Sequence, residues 1–137
     1  SKIATQSLIV QHKRLIRLLS NSNEYLEHTN PIFKKLQLLK LCDIYKLNIV
    51  MYMFKIINGI APELITREVN SNQILHNHAT RQAPDFIHKP QYTIEKSRNA
   101  LTYKGPNICN NFPSYIRHSP TPVIFKNRLK KHLLSAY

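Results

Sequence analysis

Residues 39–58 read LKLCDIYKLNIVMYMFKIIN, and this stretch decides how the chain folds. Its apolar residues fall on nearly every side of a helix, a pattern typical of a helix buried at the centre of a domain. Cys42 lies among them, so we expect it to be a small buried hydrophobic side chain. Gly59 follows directly and is predicted to end the helix, because glycine adopts positive φ without steric cost. The apolar positions are Leu41, Ile44, Tyr45, Leu47, Ile49, Val50, Met51, Met53, Phe54, Ile56 and Ile57.

Further helices are predicted on both sides of this central one. Residues 3–19 carry apolar residues at helical spacing, with a basic side between them. Pro31 suits the first turn of a short helix, since its missing N–H would be unpaired there. Thr121 is predicted to cap a final helix through its hydroxyl, with Pro122 at the first helical position. Residues 114–118 form another short helical piece.

Periodicity is lost between these halves. Residues 68–100 are rich in Asn, Gln, His and Pro, which predicts a long irregular connection. Extended pieces near residues 92–95 and 100–103 could pair, and Gly105-Pro106 is predicted to turn the chain into a short helix that ends at Phe112-Pro113. The predicted fold class is therefore mainly α: a small helical domain with a long irregular connection and the option of a short β-hairpin near residues 92–103. Its segments are 1–67, 68–100 and 101–137, within one domain overall.

Length and composition limit the fold class further. With 137 residues and 42% hydrophobic content, the chain is large enough for one ordinary core. The chain begins with Ser1, so we expect a fragment of a longer polypeptide without a signal peptide. No apolar run approaches the roughly 20 residues of a membrane span. Cys42 and Cys109 are isolated thiols, which favours a reducing intracellular compartment, cytoplasmic or nuclear.

Charge is concentrated at the two ends of the chain. The net charge is +13, from 20 Lys and Arg against 7 Asp and Glu. Residues 1–20 hold four Lys and Arg and residues 96–137 hold eight, and neither stretch contains an acid. If the ends meet, they form a basic face that attracts a polyanion by releasing its counterions. The alternative is a solvated basic surface without a partner.

Several motifs occur in a fixed order and resemble a known family. They are His76-Asn77-His78-Ala79-Thr80-Arg81, then Tyr103-Lys104-Gly105-Pro106 with Asn110 and Pro113, then Phe125-Lys126 through Leu129-Lys130 to Leu133. This order resembles the C-terminal, post-thumb region of reverse transcriptases encoded by non-LTR (LINE-like, jockey-type) retrotransposons. The family motif residues here are His76, Thr80, Arg81, Tyr103, Gly105, Pro106, Asn110, Pro113 and Phe125. The chain departs from the family at Cys109, where tryptophan is usual, so we expect an underpacked site unless Phe112 or Tyr115 fills it.

The resemblance implies a part of an RNA-directed DNA polymerase that lacks the active site. Asp43 and Asp85 are the only aspartates, and the paired aspartates that hold the polymerase metal ions are missing. We therefore expect this chain not to be an enzyme, and to bind template RNA or target DNA while joined to the remainder of a reverse transcriptase. The rival hypothesis is a helical structural or protein-interaction module that docks on the polymerase core or self-associates, with an exposed apolar patch near Met51 and Met53.

Phosphate contact is predicted for ten basic residues in the helices and loops. They are Lys13, Arg14, Arg17, Arg81, Arg98, Lys104, Lys126, Arg128, Lys130 and Lys131. Four tyrosines of the C-terminal part either stack on unpaired bases or pack the fold; for Tyr103 we favour packing. They are Tyr92, Tyr103, Tyr115 and Tyr137.

Metal and cofactor sites are not expected. His76 and His78 would share one face of an extended segment, but neither Cys-x-x-Cys nor His-x-x-x-His spacing occurs, and a structural zinc site needs four ligands. A capping or loop role is the alternative for these histidines. With two glycines in the chain, no glycine-rich phosphate loop can form.

Overall fold

The chain is mainly helical, as predicted. The computed structural model describes residues 2–20, 28–63, 69, 86–91 and 100–137, and these contain six helices and no regular strand. The helices are α1 (Lys2–Leu19), α2 (Thr29–Lys35), α3 (Leu41–Ile57), α4 (Leu101–Cys109), α5 (Ser114–Arg117) and α6 (Pro122–Ser135). Within these ranges no helix is both long enough and apolar enough to cross a membrane.

The ends of the helices follow local chemistry. Gly59 has φ +67°, and the N–H groups of Gly59 and Ile60 bond to the carbonyls of Ile56 and Lys55, at 3.1 and 2.8 Å. This is a Schellman motif, so the predicted stop is confirmed. At the N-terminus of α6, the Thr121 hydroxyl oxygen accepts a hydrogen bond from the Ile124 N–H at 3.3 Å. This confirms the predicted cap of α6.

A second Schellman motif ends α2 without a glycine. Gln37 has φ +55°, and Leu38 N–H donates to the Phe33 carbonyl at 3.0 Å. The Gln37 side chain also donates to the Lys34 carbonyl at 3.1 Å. A non-glycine residue in the left-handed region is uncommon, and here the extra side-chain bond offsets part of its steric cost.

The chain divides into two compact units. Unit 1 consists of residues 1–45 and 127–137, and unit 2 of residues 46–126. These bounds differ from the segments 1–67, 68–100 and 101–137, and that division stays a prediction. In unit 1, Ile16 of α1 and Ile32 and Phe33 of α2 form a buried cluster, against which Leu36 and Tyr137 pack.

Unit 2 has its own apolar interior. Phe54 of α3 stacks on Phe125 at a ring-centroid distance of 4.3 Å, and Met53 lies against the backbone of Gly105 in α4. The buried side chains of this unit include Val50, Met53, Phe54, Ile56, Ile87, Cys109, Phe112, Ile116 and Phe125.

The Gly105-Pro106 turn was wrongly predicted, because both residues lie inside α4. A residue before proline usually avoids helical angles since its Cβ meets the proline ring, and Gly105 has no Cβ. Leu101 to Tyr103 are also helical, so the second strand of the optional hairpin does not form; residues 92–99 lie outside the described part.

The prediction that α3 is buried on all sides is correct only in part. Cys42 is exposed rather than buried, and Ile44, Tyr45 and Ile57 are exposed as well. Helical periodicity shows which residues share a face, but it does not show how many faces other elements cover.

Candidate nucleic-acid interface

The predicted cations on α1 lie on an accessible helix in unit 1. Lys13 and Arg14 are exposed, and Arg17 is half-buried. This helix contacts the rest of unit 1 through Ile16, which is buried, and through the His12 ring, which meets Phe33 edge-on at 5.1 Å. The contact with α2 therefore holds α1 without covering Lys13 or Arg14.

The C-terminal part of α6 belongs to the same unit and supplies further cations. Arg128 and Lys131 are exposed, and Lys130 is half-buried. Tyr137, just beyond α6, packs edge-on against Phe33 with 6.2 Å between ring centroids. Phe33 thus contacts both ends of the chain, and six of the ten predicted cations lie in unit 1.

The remaining predicted cations are not part of this group. Lys104, half-buried in α4, and Lys126, exposed in α6, belong to unit 2. Arg81 and Arg98 lie outside the described residues, as do His76, Thr80 and Tyr92. Their predicted roles stay predictions.

Two exposed cations in the described part of unit 1 were not predicted from the sequence. Lys34 and Lys35 are exposed in the last turn of α2. Both lie outside the two acid-free ends of the chain, in a stretch that also contains Glu24, Glu27 and Asp43. Two lysines in succession at the end of a short helix were a usable signal, because cations favour that end of the helix dipole.

Acidic groups do little to offset the charge of unit 1. Its residues include ten Lys and Arg against three acids. Of those acids, Asp43 is the one within the described ranges; it is buried and accepts the hydroxyl hydrogen of Tyr137 at 2.7 Å. A carboxylate held in this way is not exposed beside the lysines, so the accessible surface of the described part of unit 1 is strongly basic.

Arg17 carries an unusual donor. Its Nε is buried and finds no hydrogen-bond acceptor among the described residues. The Arg17 backbone carbonyl accepts the Ser20 hydroxyl at 3.0 Å, so the end of α1 is held while the guanidinium keeps an unused donor. An unpaired buried donor costs about 1–3 kcal/mol.

The motif residues that lie in the described part serve the fold. The Asn110 side chain accepts the Ile87 N–H at 3.0 Å and donates to the Ile87 carbonyl at 2.9 Å. Phe125 stacks on Phe54, Gly105 allows Met53 to approach, and Pro113 precedes α5 as its N-cap residue. Asn110, Phe125 and Gly105 each make an internal contact within unit 2.

Cys109 occupies a closed site. Its side chain is 2% exposed, and this burial raises the pKa of the thiol to about 11, with a small opposing effect from Arg117. Phe112 is buried nearby in sequence, whereas Tyr115 is 57% exposed. Tyr115 therefore does not fill the position in the way that the sequence analysis allowed.

The tyrosines divide into packed and exposed ones. The Lys89 ammonium lies 5.0 Å from the ring centroid of half-buried Tyr103, in line with the packing role favoured for it. The Lys40 ammonium covers Tyr137 at 4.0 Å. Tyr115 remains the exposed candidate for stacking within the described part.

Two further expectations concern an exposed apolar patch and a metal site. Met53 is fully buried and Met51 is half-buried. The prediction of an exposed apolar patch is therefore wrong for Met53. Within the described ranges, no three side chains of His, Cys, Asp or Glu come close enough to share a metal ion.

Comparisons with protein-family models, curated proteins and solved structures found no match.

Proposed function

We propose that this chain is a non-catalytic C-terminal segment of a non-LTR retrotransposon reverse transcriptase and that it binds template RNA or target DNA. The observation that carries the proposal is the placement of Lys13, Arg14, Arg128 and Lys131 as exposed cations in one compact unit. The motif order in residues 76–133 supplies the family assignment. An intracellular location, nuclear or cytoplasmic, follows from this proposal.

Binding of this kind depends on phosphate charge. Lysine and arginine neutralise phosphates and release condensed counterions, which provides affinity without reading the base sequence. Lys34 and Lys35 add to the same unit. The proposed partner is therefore bound with little sequence preference, and its affinity falls steeply as salt rises.

The motif residues are assigned to the fold and not to the contact with nucleic acid. Asn110, Gly105 and Phe125 maintain unit 2 through contacts with Ile87, Met53 and Phe54. Each of them makes a specific internal contact, so we assign these residues to the fold and not to the ligand. The proposal therefore assigns nucleic-acid contact to the basic helices and fold maintenance to the motif residues.

Matched charge variants test the proposal. Fluorescence anisotropy would compare single-stranded RNA, single-stranded DNA and duplex DNA as ligands of the full chain. Lys13→Gln/Arg14→Gln should weaken binding about tenfold, at roughly 0.7 kcal/mol for each lost phosphate contact. The control Lys46→Gln/Lys55→Gln removes the same charge from exposed positions of unit 2 and should weaken binding less than about threefold.

Equal losses in the two variants would contradict a specific basic interface in unit 1. They would indicate that net charge alone attracts the nucleic acid. Absence of binding to all three ligands at low salt would remove the proposal for this chain.

A further inference from the structure

Helix α1 leaves large apolar side chains in contact with solvent. Leu8, Leu15 and Leu18 are 54%, 58% and 73% exposed. Removing a leucine side chain from water is favourable, because it buries apolar surface. Three exposed leucines on one helix are therefore an uncovered apolar surface of the kind that binds a partner.

These leucines are arranged in a regular seam. Ala4, Leu8, Gln11, Leu15 and Leu18 follow one another at spacings of four and three residues, which is the a and d spacing of a coiled coil. All five residues are exposed. We call this set the leucine seam.

The seam faces away from the contacts that α1 already makes. Successive helix residues are rotated by about 100°, which places buried Ile16 roughly 120° from the middle of the seam. Lys13 and Arg17 lie roughly 140–180° from it by the same rotation. The seam therefore lies opposite Lys13 and Arg17, and Arg14 lies beside it.

We propose that the leucine seam docks an amphipathic helix of a protein partner that carries acidic residues beside its leucines. Coiled-coil helices select partners by opposite charges in the positions that flank the apolar seam. Arg14 takes such a flanking position, and α1 contains no acid. Gln11 interrupts the leucines at one core position, which favours a defined register over general apolar association.

Two other occupants fit less well. A second copy carries the same net charge of +13 and the same acid-free helix, so two α1 helices would lack attractive flanking pairs. A helix that lies on an anionic membrane needs cations beside its apolar face. Within residues 3–19 only one cation, Arg14, flanks the seam, whereas Lys13 and Arg17 lie on the opposite side, and α1 contains no Trp, Tyr or Phe to enter the headgroup layer.

The geometry also allows two partners at once. Because Lys13 and Arg17 lie opposite the leucine seam, a helix on the seam leaves both accessible to phosphate, and Arg14 is the one residue that the two ligands share. Nucleic acid therefore should weaken helix binding only slightly and should not displace a bound helix. This independence separates the inference from the nucleic-acid proposal, since either can fail alone.

A synthetic heptad peptide with Leu at a and d and Glu at e and g tests the inference. Binding to the full chain would be measured by isothermal titration calorimetry, with a peptide carrying Lys at e and g as the charge control. We expect the acidic peptide to bind and the basic peptide not to bind. Leu8→Gln/Leu15→Gln should weaken that binding by at least about tenfold, whereas Lys13→Gln, on the opposite side, should change it less than about threefold.

The leucine variant should keep its fold, because both side chains are exposed; circular dichroism and the unfolding midpoint check this. Absence of peptide binding, or binding that survives the leucine changes, would overturn the inference. A dimer of the chain that the leucine changes abolish, seen by light scattering, would assign the seam to a second copy instead. Binding to phosphatidylserine vesicles lost in the same variant would assign it to a membrane.

Discussion

Tyr137 donates its hydroxyl hydrogen to Asp43 Oδ2 at 2.7 Å. The same hydroxyl accepts the backbone N–H of Lys40 at 2.8 Å, and the Lys40 ammonium lies over the Tyr137 ring. Asp43 is in the first turn of α3, where a carboxylate also suits the helix dipole. One phenol thus joins the residue beyond α6 to the start of α3, and holds the basic end of α6 within unit 1.

Removing only the hydroxyl tests this connection. Tyr137→Phe keeps the ring against Phe33 but leaves Asp43 and the Lys40 N–H without their partner, so we expect a loss of about 1–3 kcal/mol in the free energy of unfolding. Urea denaturation followed by circular dichroism measures it. A loss below about 0.5 kcal/mol, the range of ordinary surface substitutions, would contradict the connection.

Gly105 is required by its neighbour. A Cβ at this position would lie 2.8 Å from Met53 Cγ and 3.2 Å from Met53 Cε. Alanine would gain roughly 1 kcal/mol of helix propensity, but overpacking a buried site costs about 1–3 kcal/mol, so we expect Gly105→Ala to lower stability overall. Met53→Ala should remove the overlap, and the double variant should be less destabilised than the sum of the single variants. Additive losses would show that the two positions do not interact.

Burial of Cys109 predicts a pH dependence. The pKa of the thiol is raised from 9.0 to about 11, so the folded chain holds this proton where the unfolded chain releases it. The protonated thiol's contribution to the free energy of unfolding is complete below pH 9. It is lost as pH rises toward 11, by about 2–3 kcal/mol. The stability difference between the wild type and Cys109→Ala should therefore shrink over this range in urea titrations. Cys42→Ala, at an exposed thiol, is the control for the removal of a cysteine.

Replacing Arg17 should raise the stability of the fold and weaken its binding to nucleic acid. Arg17→Met keeps an apolar stem of similar length and removes the buried Nε that finds no acceptor among the described residues, so stability should rise by about 1 kcal/mol. Affinity for duplex DNA should fall about threefold through the loss of one phosphate contact. Arg14→Met removes the same charge from an exposed position and should weaken binding without raising the unfolding midpoint. Destabilisation by Arg17→Met would show that the guanidinium has a partner within the fold.

Local signals in the sequence were sufficient for most helices. The caps at Gly59 and Thr121 act within one turn of chain, so their chemistry could be read directly from neighbouring residues. The Gly105-Pro106 prediction failed because glycine has no Cβ and so permits helical angles before proline, and both residues lie inside α4. The exposure of Cys42 and the leucine seam depends on which helices meet, and periodicity does not contain that information.

The candidate interface was only partly predictable for the same reason. Lys13, Arg14 and the lysines of α6 were visible as acid-free clusters. Their membership of one unit depends on Phe33, which contacts His12 and Tyr137 across more than half of the chain. Lys34 was missed because averaging charge over a long segment conceals a local pair.

The salt dependence of duplex DNA binding tests the central claim most directly. If six cations of unit 1 contact phosphate, the logarithm of the association constant should fall against the logarithm of salt concentration with a slope of about −5. Lys13→Gln/Arg14→Gln should reduce the magnitude of that slope by about 2, and Lys46→Gln/Lys55→Gln should leave it unchanged. A slope near zero, or an equal change in both variants, would contradict binding through the basic helices of unit 1.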